Sequence, residues 1–218
     1  MTEGGRGLFI VLDGVEGGGK STQARLLASW LSGRGIPHRL AREPGGTPVG
    51  EAIRGILLDQ GDLPVPPETE LLLLLAARAA FVRGVVIPAL ERGEVMIADR
   101  FELSTFAYQG AGRGLGLEPI RPLNAFATSG VRPDLTVVLD LPVAEGRARQ
   151  SREGRPRDRI EGEEDSFLER VRGAYLDLAR EDSRVVVLDS SESQEEVHRA
   201  LQRVLIDRFP EPFSSTRG

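Results

Sequence analysis

The sequence contains no cysteine. Disulfides and thiolate metal sites are thereby excluded. Histidine is scarce: His38 and His198, far apart in the chain, leave little for a histidine-based metal site. Aromatic residues make up 5% of 218 residues. A net charge of −5 argues against a chain whose main task is coating nucleic acid, which is normally basic. The apolar run Leu71 to Ala77 is far shorter than a membrane span and meets Arg78. No long apolar stretch follows the first charges, so no signal peptide is expected, and the expected setting is cytoplasmic. The sharpest scarcity is lysine. Of 28 lysines and arginines, Lys20 is the sole lysine.

What is present alternates in a regular way. LFIVLDG (Leu8 to Gly14) reads as a strand buried on both faces, and Ser21 to Ser32 as an amphipathic helix. HRLARE (His38 to Glu43) reads as a second strand, followed by the loop PGGTPVG and a helix from Glu51 to Leu58. Pro67, with Glu68 and Glu70 in the first turn, opens a long helix to Glu91 that Pro88 bends. Strands follow at Val95 to Asp99, Leu135 to Leu141 and Val185 to Asp189. Ser166 with Glu169 and Ser193 with Glu196 have the spacing of capping boxes. Phe209 to Gly218 reads as a frayed tail. Strands alternating with helices predict an α/β fold: a parallel five-stranded sheet with helices on both faces, in one domain spanning 1–218.

GVEGGGKST fits the phosphate-loop pattern through Gly14, Gly19, Lys20 and Ser21, and it lies between a strand and a helix, as that motif requires. Glycines let the backbone curl until its amides face phosphate oxygens, and the helix N-terminus adds positive potential. The whole stretch Gly14, Val15, Glu16, Gly17, Gly18, Gly19, Lys20, Ser21 and Thr22 is the expected nucleotide triphosphate-binding loop, the ATP-binding loop under the family resemblance given below. A slim ammonium fits inside such a loop; a planar guanidinium does not, which explains why one lysine survives. Ser21 and Asp99 are the expected Mg²⁺ ligands, with Asp99 alternatively a cap or a partner of Arg100.

A nucleotide loop alone leaves a regulatory GTPase, an ATPase module and a small-molecule kinase in competition. With Lys20 committed, no lysine remains for an Asn-Lys-x-Asp guanine site. A kinase needs an acceptor pocket and a water-excluding lid. GRARQSREGRPRDRIEGEED supplies Arg147, Arg149, Arg152, Arg155, Arg157 and Arg159 for a lid at about 147–161, or else for a solvated basic surface. Arg42 and Glu43 end the second strand, while Asp99 and Arg100 end the third, where ligands of open sheets bind. Arginine suits bidentate capture of a monophosphate.

Several motifs in order make the chain similar to the bacterial thymidylate kinases, within the P-loop nucleoside monophosphate kinases. They are GVEGGGKST, REPGGTPVGEAIR, AAR at Ala76 to Arg78, DRFELSTFAYQGAGRG, RPDLTVVLD and DRIE, spanning roughly Leu8 to Arg208. The resemblance implies transfer of phosphate from ATP to dTMP with Mg²⁺, in a homodimer. It implies that Glu16 binds the 3′-hydroxyl, that Arg100 grips the dTMP phosphate, and that Arg42 and Glu43 lie near the reacting groups. Arg54 would approach the acceptor, and Arg78 would donate to thymine O4, or else pair with an acid on the long helix. Gln109 would meet the N3 edge and Tyr108 would pack near C2′. Ser104 and Thr105 would line the pocket or cap a helix. With no arginine in the phosphate loop, the catalytic guanidinium is expected in the lid, where Arg149 and Arg152 match the family pattern.

One position departs from that pattern. Four residues before Arg78 the family usually carries a phenylalanine that stacks on thymine; this chain has Leu74, either an apolar cover for the base or a core residue. A base–aromatic stack is worth about 1–3 kcal/mol, part of which leucine forgoes. A nucleoside monophosphate kinase of shifted base preference and a non-catalytic nucleotide-binding module remain the alternatives at this point.

Overall fold

The computed structural model describes residues 6–59, 63–154 and 158–214. Five strands form one parallel sheet: β1 (Phe9–Asp13), β2 (His38–Arg42), β3 (Val95–Asp99), β4 (Leu135–Asp140) and β5 (Val185–Asp189), in the order β2-β3-β1-β4-β5. The helices are α1 (Lys20–Gly33), α2 (Pro48–Arg54), α3 (Pro67–Phe81), α4 (Ile87–Glu91), α5 (Glu102–Thr105) and α6 (Ile120–Thr128). They continue with α7 (Val143–Glu153), α8 (Asp165–Glu181), α9 (Gln194–Arg208) and α10 (Pro210–Ser214).

Alternation along the central strand shows why its sequence is continuously apolar. Ile10 and Leu12 pack with Leu27 and Leu31 of α1 and with Leu201 and Leu205 of α9. Phe9 and Val11 point the other way, into Phe81, Val86, Met96 and Phe101. Both faces are covered, so all five residues are buried. Register then assembles the site: Leu12 lies opposite Asp99, Arg42 opposite Asp99, and Asp13 opposite Val138. The phosphate loop and the charged ends of β2 and β3 therefore emerge at the same edge.

The long helix runs without a break from Pro67 to Glu91, 25 residues that include an 18-residue stretch with a mean hydropathy of 2.0. Its length and composition match a membrane span, yet Leu71 and Leu75 pack with Phe106 and Tyr108, while Phe81, Val82 and Val86 press on the sheet. At the position of the expected bend, the helix carries a widened π turn over Val82–Val86, just ahead of Pro88. Proline has no N–H for the i−4 carbonyl and its ring crowds that group, which the wider turn relieves.

Two expectations are corrected. Helix α8 starts at Asp165 after an extended Glu164, and no side chain caps it, so Ser166 and Glu169 form no capping box. Asp165 instead accepts from Arg147 Nε (3.0 Å). The box at Ser193 and Glu196 does form. The tail is not frayed through Ser214: Phe213 is fully buried, its ring 5.7 Å from that of Trp30, and its carbonyl accepts from Arg34 (3.3 Å). An aromatic side chain with a ready apolar seat holds the segment down; 215–218 lie outside the described residues.

Candidate active site

The phosphate loop closes the C-terminal end of β1. Gly14 has φ 129°, and a Cβ there would come within 2.4 Å of the Leu139 carbonyl oxygen. Gly17 has φ 76° and lies against the backbone of Gly146 at the start of α7, where a Cβ would sit 2.6 Å from it. Only glycine meets both demands. Gly19, also left-handed, precedes the first turn of α1 without a side-chain cap. That leaves the first amides of α1 for a ligand. Lys20 is buried, and its Nζ donates to the Val15 carbonyl (2.7 Å). Burial, then the nearby Arg100 charge, press its pKa down to about 8. Ser21 Oγ donates to Asp99 Oδ2.

Arg100 sits one residue beyond β3 with φ 74°, a conformation that a residue carrying a Cβ adopts at a cost of about 1–3 kcal/mol. A dense set of contacts holds it there. Nη2 donates to Glu16 Oε1 (2.7 Å), and Nη1 to the Gly14 carbonyl and Ser104 Oγ (both 3.1 Å). The guanidinium also lies 5.1 Å from the Tyr108 ring centre. The Tyr108 hydroxyl donates to Glu16 (2.7 Å). Burial pushes the Glu16 carboxyl up, but Arg100, Lys20 and Tyr108 outweigh it and hold it below the usual range. Beneath lies Asp13, fully buried, which accepts from Ser104 Oγ (2.5 Å) and the Tyr175 hydroxyl (2.6 Å) and sits 3.8 Å from Arg100. Burial lifts the Tyr108 and Tyr175 hydroxyls well above their usual pKa, so both stay protonated donors.

Arg78 is among the largest fully buried side chains. Its Nε donates to Glu43 (2.8 Å), Nη1 to Asn124 Oδ1 (2.7 Å), and Nη2 to the Phe101 carbonyl (3.1 Å) and Thr105 Oγ1 (2.9 Å). The partner acid thus follows β2 and does not lie on the long helix, which corrects that alternative. One Nη1 proton is left without a described acceptor. Burial pushes Glu43 up to about 6, against the pull of Arg78. Arg42 is exposed and pairs with Glu51 (3.1 Å), and Arg54 donates to the Pro44 carbonyl (3.2 Å).

These groups surround one cleft of about 640 Å³. From the phosphate loop it is lined by Glu16, Gly17, Gly19, Lys20, Ser21 and Thr22; from the strand ends by Arg42, Glu43, Asp99 and Arg100. Arg54, Leu74, Arg78, Ser104, Thr105, Tyr108 and Gln109 complete it on the helical side. Gly14, Val15 and Gly18 of the loop are buried and do not line the cleft. Leu74 packs with Ile53, Leu57 and Ala77, as the core reading expects, and it also lines the cleft.

The arginine-rich segment divides. Arg147 is tied to Asp165 and to the carbonyls of Glu161 and Glu163. Arg149 donates to the carbonyls of Gly17 (3.4 Å), Ser190 (2.8 Å) and Ser191 (3.2 Å). Arg152 is exposed at the end of α7. Neither Arg149 nor Arg152 lines the cleft, whereas Asp158, Ile160 and Glu161 do. Arg155 and Arg157 lie outside the described residues. Arg159 turns inward, with Nη2 donating to Glu70 (2.6 Å) and Nε to the Leu57 carbonyl (3.0 Å).

The family model described as Thymidylate kinase matches residues 12–201. The chain belongs to the thymidylate kinase family. It is 49% identical over 200 residues to the thymidylate kinase of Pseudomonas putida (strain GB-1), covering 91% of this chain and 95% of that one. It is 44% identical over 208 residues to that of Neisseria gonorrhoeae (strain NCCP11945), covering 92% and 97%. The crystal structure of thymidylate kinase from Ehrlichia chaffeensis superposes with a TM-score of 0.73 at 30% identity, over 92% of this chain and 100% of that chain.

Within this family fold the oxygen donors of Ser21 and Asp99 adjoin at the mouth of the phosphate loop. Two hard oxygens suit Mg²⁺, which keeps waters and phosphate oxygens as its other ligands. Among the described residues, no group of three or more His, Cys, Asp or Glu side chains offers a self-sufficient metal cage. Sequence reasoning missed Asp13, Glu70, Arg113, Asn124 and Tyr175 as members of the site's networks, and it placed Arg159 in the lid without its bond to Glu70. Glu70 carried a misleading signal, since an acid near Pro67 reads as a first-turn residue, yet it is 1% exposed. Asp13 offered a better one: a carboxylate inside an otherwise apolar buried strand needs partners.

Proposed function

We propose that the protein transfers the γ-phosphoryl group of ATP to the 5′-phosphate of dTMP, giving dTDP and ADP. The observation that carries this is a single cleft with the phosphate loop and Lys20 on one side and the cluster of Arg78, Arg100, Tyr108 and Gln109 on the other. In that reading the loop amides and Lys20 hold the β- and γ-phosphates. Arg100 binds the acceptor phosphate, Glu16 the 3′-hydroxyl, and Tyr108 closes the space at C2′. An acceptor phosphate oxygen attacks the γ-phosphorus in line while the bond to the bridging oxygen of ADP breaks, with no covalent enzyme intermediate. Ser21 and Asp99 would hold Mg²⁺, which spreads the charge developing between the phosphates. Arg42, Arg54 and Glu43 frame the transfer region. Arg149 and Arg152 supply lid guanidinium groups that reach the phosphates on closure. The setting is cytoplasmic.

A coupled assay with ATP, Mg²⁺ and dTMP, dUMP, dCMP, dGMP or UMP tests this. Turnover highest with dTMP is the expected result. Higher turnover with dCMP would assign a shifted base preference, and none with any acceptor would assign a nucleotide-binding module.

We further propose a homodimer. Leu72 of α3 is 56% exposed, and on α6, which packs against α3, Leu123 is 41% and Phe126 85% exposed. Such an apolar face suits a second copy. Phe126→Asp is expected to shift the mass measured by light scattering from dimer to monomer.

A further inference from the structure

Glu70 has no part in the reaction just described and does not itself line the cleft, yet its buried carboxylate accepts four hydrogen bonds, one of them from the cleft-lining Gln109. Gln109 Nε2 donates to its Oε1 (2.7 Å), as does Arg113 Nε (3.2 Å); Arg113 Nη2 (3.1 Å) and Arg159 Nη2 (2.6 Å) donate to Oε2. Burial pushes the Glu70 carboxyl up, but its bonds from Arg113, Gln109 and Arg159 outweigh this and hold it below the usual range. An ionised carboxylate only accepts hydrogen bonds. The Gln109 atom facing it is therefore the amide nitrogen, and Oε1 is the polar atom left for the cleft. No described residue donates to that oxygen, and Gln109 lines the cleft.

We propose that Glu70 is a positioning residue for base selection: by holding the Gln109 amide in one orientation it presents Oε1 as an acceptor to N3 of the pyrimidine. This rests on the reading of the cleft as the dTMP site. Thymine and uracil carry a hydrogen at N3 and match that acceptor. Cytosine presents a lone pair at N3, so acceptor meets acceptor. The spare Nη1 proton of Arg78 selects at position 4, and Glu70 acting through Gln109 selects at position 3.

The isosteric variant Glu70→Gln makes a directional test. Its amide carbonyl settles where two guanidinium groups now donate, at the Oε2 position. Its NH₂ then faces Gln109, which must turn its own oxygen toward it and its NH₂ toward the cleft. Dissociation constants for dTMP, dUMP and dCMP, measured by calorimetry, read this without turnover. The expected result is a fall of about tenfold or more in the preference for dTMP over dCMP, with the dTMP-to-dUMP ratio unchanged. In a Gln109→Leu background the same change alters the dCMP ratio no further. Glu70→Asp, which keeps a charge for Arg113 and Arg159 but falls a methylene short of Gln109, lowers the ratio in the same direction. An unchanged dTMP-to-dCMP ratio in both Glu70 variants, or equal weakening of all three ligands, would overturn the assignment and leave Glu70 a purely structural anchor. Loss of the phosphoryl-transfer reading has a different signature, absence of dTMP turnover in the unaltered enzyme, and leaves the ratio of dissociation constants to decide on Glu70.

Discussion

The two halves of the cleft are built in opposite ways. The proposed donor half is local: nine consecutive residues, Gly14 to Thr22, contribute backbone amides, one buried lysine and the hydroxyls of Ser21 and Thr22, from the end of β1 into the first turn of α1. The proposed acceptor half is assembled from distant segments. Arg78 comes from α3, Glu43 from the end of β2, Thr105 from α5 and Asn124 from α6, and they meet in one buried network. A local site is specified by what the backbone must do, so substitution there acts on chemistry. A dispersed site is specified by partners, so substitution there acts on affinity and selectivity.

The largest expected effect lies in the donor half. Lys20→Arg should lower kcat by about 100-fold or more while the melting temperature and circular dichroism stay near normal, because a guanidinium does not fit the loop. A near-normal kcat would erase the distinction. In the acceptor half, Tyr175→Phe removes the hydroxyl that donates to Asp13 (2.6 Å) and lies 2.9 Å from Ser104 Oγ. It should raise the dTMP KM about tenfold and leave the ATP KM within about twofold. Equal changes in both constants would mean that the halves are not separable.

A pH profile probes the donor half without mutation. The proposed reaction needs the Lys20 ammonium charged, and burial depresses its pKa to about 8, so charge is lost as pH rises through that value. kcat/KM for ATP should be flat below the bend and fall about tenfold per pH unit above it. A profile level to pH 10 would show that the amine stays charged. The smallest effect is expected at Leu74, which already covers part of the cleft. Leu74→Phe should lower the dTMP KM about threefold, a fraction of a full base stack. An unchanged or raised KM would make Leu74 a core residue first.

The same contrast explains what the sequence disclosed. β1 and β3, the loop and the Ser193 cap are local patterns, and their signals lie within a few residues of the atoms they place. The arginine cluster announced a basic segment, but not that Arg159 would turn to Glu70 while Arg147 tied down backbone carbonyls. Composition gives charge without direction. Asp13 with Tyr175, 162 positions apart, and Arg78 with Asn124, 46 apart, are pairings of the folded sheet and its helices, which no spacing rule reaches. Ser166 is no cap because the helix starts one residue before it, at Asp165, whose carboxylate accepts from Arg147, 18 positions away.

A crystal structure with dTMP and a non-hydrolysable ATP analogue bound together tests the central claim most directly. The account predicts the triphosphate in the loop against Lys20, the acceptor phosphate on Arg100, and the base edge between Arg78 and the Gln109 oxygen. A cleft closed by the protein's own side chains at Leu74, Arg78 and Gln109, with dTMP elsewhere or absent, would contradict it.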